Sequence, residues 1–415
     1  MRTAFAVARF ATTLILLGFA QARGADWPQF LGPHRNGISA ETGLLEAFPA
    51  GGPKEVWRAK GGVGMSGLAV SGGRVITMLQ ADSKQLLAAW DSATGSPVWQ
   101  TPLAPAYDNS QGAGPRSTPS IAGERVFTMT GEGILAAASL ADGKLLWSKE
   151  VTKELKGSPA EYGTACSPLV VGDHVIVNIG APGASVVAFD AATGNLVWKA
   201  GDDAIGYSSP VLLKLAGREQ VVSLMGTAAL GIAPDTGKVL WRYPFVTDFN
   251  CNTASPVAVG DGVLISAGEM HGSALLSLKP RGEEFDVVET WTSLGGDSEL
   301  RAEWQTPIVS GSQIYGFDNL GGAGPITHLA CIDATTGKRI WYKARFGKGN
   351  MIAADGKFWV ATLAGELILL RENAAQFEEL GRANVGIGTR QAPTLVDGRL
   401  YLRDDENIVC FDVRK

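Results

Sequence analysis

The chain has 415 residues, of which 45% are hydrophobic and 19% are charged, and its formal net charge is −5 at neutral pH. This composition is typical of a soluble globular protein with a large core and excludes an intrinsically disordered chain. The acidic balance disfavours nucleic acid or an anionic membrane surface as the main partner.

Residues 1–22 have the features of a secretory signal peptide, because Arg2 and Arg9 accompany an apolar run over residues 10–20 and small residues follow it. We predict cleavage after Ala22, with Ala25 as the alternative, and an exported protein of the periplasm or the extracellular space. A retained membrane anchor is the other interpretation, although the run is shorter than the ~20 residues of a spanning helix. No later stretch is long enough, so we expect no transmembrane segment.

Residues 23–53 precede the first repeat. We expect this N-terminal segment to pack on the repeat domain through Trp27, Phe30 and Phe48, with a mobile arm as the alternative.

From residue 54 to residue 415 one pattern recurs: a strand, a turn of the form D-x-x-T-G, and a short strand that ends in tryptophan. The repeats end at Trp57, Trp99, Trp147, Trp198, Trp241, Trp291 and Trp341. Spacings of 42 to 51 residues between successive tryptophans, with strands alone between them, predict the blades of a β-propeller. We expect each indole to cover the gap between two sheets and to donate its N–H to a backbone carbonyl.

A hairpin of the form S-P-x-x-x-G-x-x-V, in two cases without the proline, occurs eight times and fits the two inner strands of a blade. Residues 393–402 form the last hairpin with too little chain after it for a fourth strand, whereas residues 54–60 are a strand with no hairpin before it. We therefore predict an all-β fold, a single eight-bladed β-propeller closed by pairing of its N- and C-terminal strands. Seven blades with an unpaired tail are the alternative.

The four cysteines are far apart in the sequence, and two of them hold the same place in different repeats, so we predict buried thiols rather than disulfides. They are Cys166, Cys251, Cys331 and Cys410. Four scattered histidines and the lack of a CxxC pair predict no metal site.

The loops that enter the innermost strands of a propeller converge on one mouth of the central channel, so their side chains form the predicted site. Aromatic rings beside arginines and carboxylates can stack on a planar or sugar-like ligand and bond its polar edge. The residues predicted to bind a ligand or partner there are Arg116, Glu161, Tyr162, Tyr207, Asp248, Asn250, Arg301, Glu303, Trp304, Asn350 and Arg390. A solvated rim without a ligand is the other interpretation.

Several of these carboxylates, with Glu299, could include a general acid and base for glycoside hydrolysis, but the sequence does not fix their separation. No nucleophile elbow or phosphate-binding loop is present in the sequence. We predict no catalytic residue.

The A-x-D-x-x-T-G-x-x-x-W repeats and S-P-x-V hairpins, over about residues 54–413, resemble those of the PQQ-like (quinoprotein-like) β-propeller family. This family includes quinoprotein alcohol dehydrogenases and BamB-type outer-membrane assembly propellers. The start DWPQFLGPHRNGIS, residues 26–39, is similar to that of secreted members. The resemblance implies the fold, but it implies little about function because the repeat consists of structural residues.

Two departures from the family bear on function. The dehydrogenases carry two adjacent cysteines over the quinone, with calcium ligands and a catalytic Asp, and no two cysteines adjoin here. The assembly lipoprotein carries an N-terminal lipidated cysteine, which this sequence lacks.

We therefore predict a monomeric, non-catalytic binding or scaffold protein, similar to BamB, whose partner is a protein or polysaccharide-like ligand of the cell envelope. No cofactor and no nucleic acid are expected. The alternative is a PQQ-dependent oxidoreductase of an alcohol or sugar, in which Trp304 or Tyr207 stacks on the quinone and carboxylates hold Ca²⁺. A structural role in a larger envelope assembly is a third interpretation.

Overall fold

The computed structural model describes residues 26–321 and 326–415, so the predicted signal peptide lies outside the described residues. The described residues contain 32 strands, one helical turn at Val151–Glu154, and 3-10 turns at Asp248–Asn250 and Gly295–Asp297. No helix within them is long and apolar enough to cross a membrane.

The strands are numbered in chain order. They are β1 (Lys54–Lys60), β2 (Ala69–Ser71), β3 (Arg74–Ala81), β4 (Lys84–Asp91), β5 (Pro97–Pro105), β6 (Ser120–Ala122), β7 (Arg125–Met129), β8 (Leu135–Ser139), β9 (Leu145–Lys149), β10 (Leu169–Val171), β11 (His174–Ala181), β12 (Ala184–Asp190), β13 (Leu196–Ala200), β14 (Val211–Leu215), β15 (Arg218–Leu224), β16 (Ala228–Ile232), β17 (Val239–Pro244), β18 (Val257–Val259), β19 (Gly262–Ala267), β20 (Gly272–Arg281), β21 (Glu284–Leu294), β22 (Ile308–Ser310), β23 (Gln313–Leu320), β24 (Ile326–Asp333), β25 (Arg339–Lys343), β26 (Gly349–Ala354), β27 (Lys357–Thr362), β28 (Glu366–Arg371), β29 (Glu379–Asn384), β30 (Thr394–Val396), β31 (Arg399–Arg403) and β32 (Asn407–Asp412).

The described strands form eight antiparallel four-stranded sheets, which are the blades. Blades 1 to 7 use consecutive strands, from β2–β5 for blade 1 to β26–β29 for blade 7. Blade 8 has the order β30, β31, β32, β1, and β1 pairs with β32 from Lys54 opposite Asp412 to Lys60 opposite Asn407. The predicted eight-bladed propeller, closed by the two ends of the chain, is confirmed.

The core lies between the blades. Each pair of adjacent blades shares a cluster of buried apolar side chains, and one cluster extends over blades 7, 8 and 1. Every sheet therefore buries both faces, and the stability of one blade depends on its two neighbours.

The D-x-x-T-G corners hold the outer tryptophans in place. At the blade 2 corner, Gly143 has φ 71° and lies against the ring of Trp99, so that an added Cβ would come within 2.4 Å of the ring. The indole of Trp99 donates to the carbonyl of Leu140 at 3.1 Å. Glycine is needed here both for its positive φ and for its missing side chain. The same contact recurs between each corner and the tryptophan of the preceding blade.

The indole N–H of six repeat tryptophans donates to a carbonyl of the next blade, as expected. Trp241 differs, because its N–H donates to the Gln220 side chain of its own sheet at 2.7 Å. Blade 5 has no corner to supply a carbonyl, since β20 turns directly into β21. Gly231 lies opposite Trp241 and makes room for the ring, because a Cβ there would lie 1.9 Å from the indole nitrogen.

The N-terminal segment enters the central channel from the side of the β2–β3 turn, which we call the lower face. Trp27 forms a β-bridge with Val70 in the innermost strand of blade 1. Arg35 is buried and donates to the carbonyls of Ser167 at 3.1 Å and Pro210 at 2.9 Å, where the innermost strands of blades 3 and 4 begin. Residues 26–39 therefore fill the lower part of the channel as a plug.

The rest of the segment crosses the lower face toward blade 8. Ile38 pairs with Ala353 of blade 7, and Leu44 pairs with Arg414 at the end of the chain. Phe48 packs on Trp359, with ring centroids 6.1 Å apart. Two of the aromatic residues that were expected to pack on the repeat domain therefore lie in different places: Phe48 lies at blade 7, and Trp27 lies in the channel.

Candidate functional site

A cavity of about 460 Å³ opens at the upper mouth of the channel, on the side where the chain enters the innermost strands. We call it the mouth cavity. Each of the eight blades contributes to its wall. The lining residues are Trp27, Phe30, Leu31, Met65, Gly67, Leu68, Gln111, Arg116, Thr118, Tyr162, Ala165, Tyr207, Phe249, Cys251, Thr253, Glu269, Glu303, Trp304, Asn350, Arg390, Gln391, Ala392 and Thr394.

The plug forms the floor of the mouth cavity. Trp27, Phe30 and Leu31 line it, and Trp27 and Leu31 are buried. Arg35, in the same segment, anchors the plug to the carbonyls of the innermost strands. The plug therefore gives the cavity an apolar lower end.

The structure brings most of the predicted site residues to this cavity. Those that line it are Arg116, Tyr162, Tyr207, Glu303, Trp304, Asn350 and Arg390. Glu161 and Asp248 are exposed, and Asn250 is half-buried beside Gly226 outside the cavity wall.

Arg301 lies away from the cavity and has a structural role. Its side chain is buried, and its Nε donates to Asp318 Oδ1 at 2.9 Å. Arg339 bonds the other oxygen of Asp318 at 3.1 Å. Removing one partner from a buried pair of this kind is strongly destabilising. Arg301 therefore stabilises blade 6 and does not belong to the site.

One side of the mouth cavity is cationic. Arg390 lies over the ring of Trp304 at 4.7 Å, and Lys348 lies over the same ring at 4.3 Å. Arg116 is buried and donates to the Asn109 side chain at 2.9 Å and the Gly112 carbonyl at 2.7 Å.

The charges of the two arginines are not neutralised locally. Burial lowers the pKa of Arg116, and the positive charge of Arg390 lowers it further. The acceptors of Arg390 are the Met65 sulfur at 3.5 Å and the Gln111 carbonyl at 3.3 Å. Within the described residues neither arginine forms a salt bridge, so this wall has a positive potential available to a ligand.

The opposite side carries tyrosines and carboxylates. The rings of Tyr162 and Tyr207 stack with centroids 5.8 Å apart. Burial raises the pKa of Tyr207 to about 12, so its phenol is neutral at physiological pH. Glu303 is buried and forms a salt bridge of 2.7 Å with Lys348, which links the acidic side to the ring of Trp304.

Cys251 also lines the cavity, which differs from the expectation of four buried thiols. Cys166, Cys331 and Cys410 are buried and free, whereas Cys251 is partly exposed and free. Burial and the nearby carboxylates, Glu269 first among them, raise the pKa of the Cys251 thiol to about 11. It is therefore a weak nucleophile at neutral pH.

Sequence reasoning missed the floor and part of the acidic wall. Phe30 and Leu31 belong to a segment outside the repeats, and Glu269 lies in the loop between β19 and β20 rather than in a loop that enters an innermost strand. The aromatic content of residues 26–39 was the available signal for the floor.

The oxidoreductase alternative needs carboxylates that hold Ca²⁺ beside a ring that stacks on the quinone. No group of three or more His, Cys, Asp or Glu side chains within the described residues could hold a metal ion. The wall does present two rings, Trp304 and Tyr207, but the face of Trp304 is covered by Arg390.

Comparisons with known proteins agree with the architecture. A family model described as "Outer membrane protein assembly factor BamB" matches residues 83–343. No match is found among curated proteins. BamB from Moraxella catarrhalis is similar in structure, with a TM-score of 0.59 and 16% identity over 86% of this chain and 97% of that chain.

Two dehydrogenases are also similar in structure. Quinohemoprotein alcohol dehydrogenase from Comamonas testosteroni has a TM-score of 0.67 and 17% identity, over 94% of this chain and 81% of its own. A europium-containing methanol dehydrogenase has a TM-score of 0.66 and 15% identity, over 92% and 90%. At these identities the similarity shows the fold alone, whereas the family model covers more than half of the sequence. The chain therefore belongs to the PQQ-like β-propeller family that the BamB model describes.

Proposed function

We propose that the protein is an exported, non-catalytic binding propeller that takes a ligand or a segment of an envelope partner into the mouth cavity. The observation that carries this proposal is the convergence of all eight blades and the plug on one mixed aromatic and charged cavity. Pockets of this size and lining are typical of ligand sites. The BamB relative supports a protein partner in the envelope.

The two arginines favour binding over a solvated rim. A rim with no ligand is expected to neutralise its charges by mutual salt bridges, whereas Arg116 and Arg390 have backbone, amide and sulfur acceptors. A carboxylate or another electron-rich group between them would gain charge-assisted hydrogen bonds.

The test replaces Arg116, Trp304 and Arg390 together with alanine. We expect the variant to lose capture of the partner from an envelope extract, measured by pull-down, while circular dichroism shows that the β-propeller fold is retained. The matched control replaces Arg58, Tyr342 and Arg371, which lie on outer parts of the blades. Undiminished capture by the cavity variant would refute the proposal, as would an equal loss in the control.

The second candidate is a PQQ-dependent oxidoreductase, which the position of Trp304 and Tyr207 in the cavity wall favours. Within the described residues no group of three or more Asp, Glu, His or Cys side chains could hold the metal, and we derive no reaction step for this candidate. Titration with pyrroloquinoline quinone and Ca²⁺ separates the two functions: a cofactor absorbance band together with dye reduction would establish the oxidoreductase and overturn the non-catalytic proposal.

A further inference from the structure

Large apolar side chains are exposed together on the upper face of blade 5. We call the group the blade 5 rim. Its members are Val246 (59% exposed), Phe249 (62%), Met270 (41%) and Leu294 (46%). They come from the loop before β18, the loop between β19 and β20, and the end of β21. Single exposed apolar residues are ordinary, but four of them on the loops at one end of a single blade are typical of an interaction surface.

The backbone of the blade 5 rim is strained. Phe249 and Asn250 have φ of 56° and 55°, and Glu269 and Met270 have φ of 48° and 60°. Left-handed backbone costs a residue with a side chain about 1–2 kcal/mol, and such residues cluster at functional sites. Two adjacent loops of one blade share this conformation without glycine at these four positions, although glycine would relieve the strain.

One phenylalanine of the loop before β18 is exposed, whereas another is buried. Phe245 is buried and contacts the ring of His271 edge to face, with centroids 4.3 Å apart. Phe249 follows four residues later and faces solvent and the mouth cavity. The loop is therefore already anchored by Phe245, and the packing of the blade does not account for Phe249.

Carboxylates border the same surface. Cys251 lines the mouth cavity, and the charges of Glu161, Asp248, Glu269 and Glu303 all help to raise the pKa of its thiol. Glu303 forms a salt bridge with Lys348, and Glu299 forms one with Arg339. Glu161 and Asp248 take part in neither, so the border keeps a negative charge.

We propose that the blade 5 rim docks a basic amphipathic segment of a partner protein. The apolar side chains of this segment cover Phe249 and Met270, and the lysines or arginines of the segment face Asp248 and Glu161. Because Phe249 and Glu269 also line the mouth cavity, the rim continues the cavity surface. The inference rests on the proposed function, to which it adds the chemistry of the partner.

Three labelled synthetic peptides test the partner chemistry by fluorescence anisotropy. They share one pattern of leucine and tryptophan and carry lysine, glutamine or glutamate at every polar position. We expect the lysine peptide to bind at least tenfold more tightly than the glutamate peptide, and its affinity to fall with added salt because exposed charges are screened. Equal binding of the three peptides, or no binding, overturns the inference.

Phe249→Gly separates a docking role from a packing role. Glycine removes the ring and relieves the left-handed strain, so we expect the affinity for the lysine peptide to fall about tenfold while the melting temperature stays the same or rises. A lower melting temperature with unchanged affinity would make Phe249 a packing residue and overturn the inference. Leu363→Ser is the matched control, because Leu363 is 40% exposed on the upper face of blade 7, and its affinity should not change.

The charge contribution is tested with Asp248→Asn combined with Glu161→Gln, which should weaken the lysine peptide and leave the glutamine peptide unchanged. The outcome of this experiment can be distinguished from the outcome of the test of the proposed function. If the cavity variant of Arg116, Trp304 and Arg390 keeps its capture while the rim variants lose the peptide, the cavity proposal falls and the rim stands. If the cavity variant loses its capture while the rim variants still bind the peptide, only the rim inference falls.

Discussion

The corner glycines give a prediction whose size can be worked from the structure. Gly143→Ala imposes two costs. The first is the left-handed backbone at φ 71°, which costs a residue with a side chain about 1–2 kcal/mol. The second is steric, because the new Cβ would lie 2.4 Å from Cε3 and 2.6 Å from Cδ2 of Trp99.

The steric cost falls on the joint between blades 1 and 2. The Trp99 ring must move, which breaks its 3.1 Å hydrogen bond to the Leu140 carbonyl, a contribution of about 0.5–1.5 kcal/mol. The displaced ring of Trp99 also loses part of its packing. We therefore expect Gly143→Ala to lower the free energy of unfolding by about 2–4 kcal/mol, since backbone strain and the lost joint add.

Gly73→Ala is the matched control, because Gly73 has φ 74° and no neighbour within 4 Å of the added Cβ. It isolates the backbone cost of about 1–2 kcal/mol. Urea unfolding of both variants measures the difference, and a double-mutant cycle with Trp99→Leu assigns it to the ring. Equal destabilisation by the two substitutions, or no coupling to Trp99, would refute the account of the joint.

Three further predictions follow from the plug, the corners and the cavity wall. Arg35→Met leaves buried carbonyls without a donor, which costs about 1–3 kcal/mol for each carbonyl, and removal of a buried charge partly offsets this cost. Urea titration should therefore show that the free energy of unfolding falls by about 2–4 kcal/mol. Proteolysis should cut the N-terminal segment faster. Hydrogen bonds from the corner threonines hold the pKa of Asp91, Asp190 and Asp333 below the usual value of 3.8. These groups therefore stabilise the fold above about pH 4, the stabilisation is lost as the pH falls below that value, and the triple Asp→Asn variant should show a flatter acid transition by circular dichroism. Since the Cys251 thiol has a pKa of about 11 against an ordinary 9.0, iodoacetamide at pH 8 should label it about 100-fold more slowly than an ordinary thiol, a rate that mass spectrometry can follow.

The fold could be predicted because the residues of the repeat determine a turn and the strand that follows it. The corner glycine and the tryptophan keep the same spacing within each copy, so each copy predicts the same corner, and the eight inner hairpins give the number of blades. The exception, Trp241, depends on Gly231 opposite it and on the missing corner of blade 5. This contact depends on how the strands of one blade pair, which the repeat pattern does not specify.

Four residues of the site were predictable from a position that they share in the repeat. Arg116, Tyr207, Trp304 and Arg390 precede the innermost strands and all line the cavity. Arg301 lies close to Trp304 in the sequence but turns into blade 6, because Asp318 on β23 offers it a buried carboxylate. Burial of that kind is decided by a partner from another strand, which spacing does not reveal.

The two ends of the described chain share one face of the ring. Asp26 is exposed next to Ser71, and Lys415 is exposed beyond the bridge between Arg414 and Leu44. Both therefore emerge on the side away from the mouth cavity and the blade 5 rim. A label or a surface attached at Asp26 or Lys415 would therefore leave the mouth cavity and the blade 5 rim open to a partner.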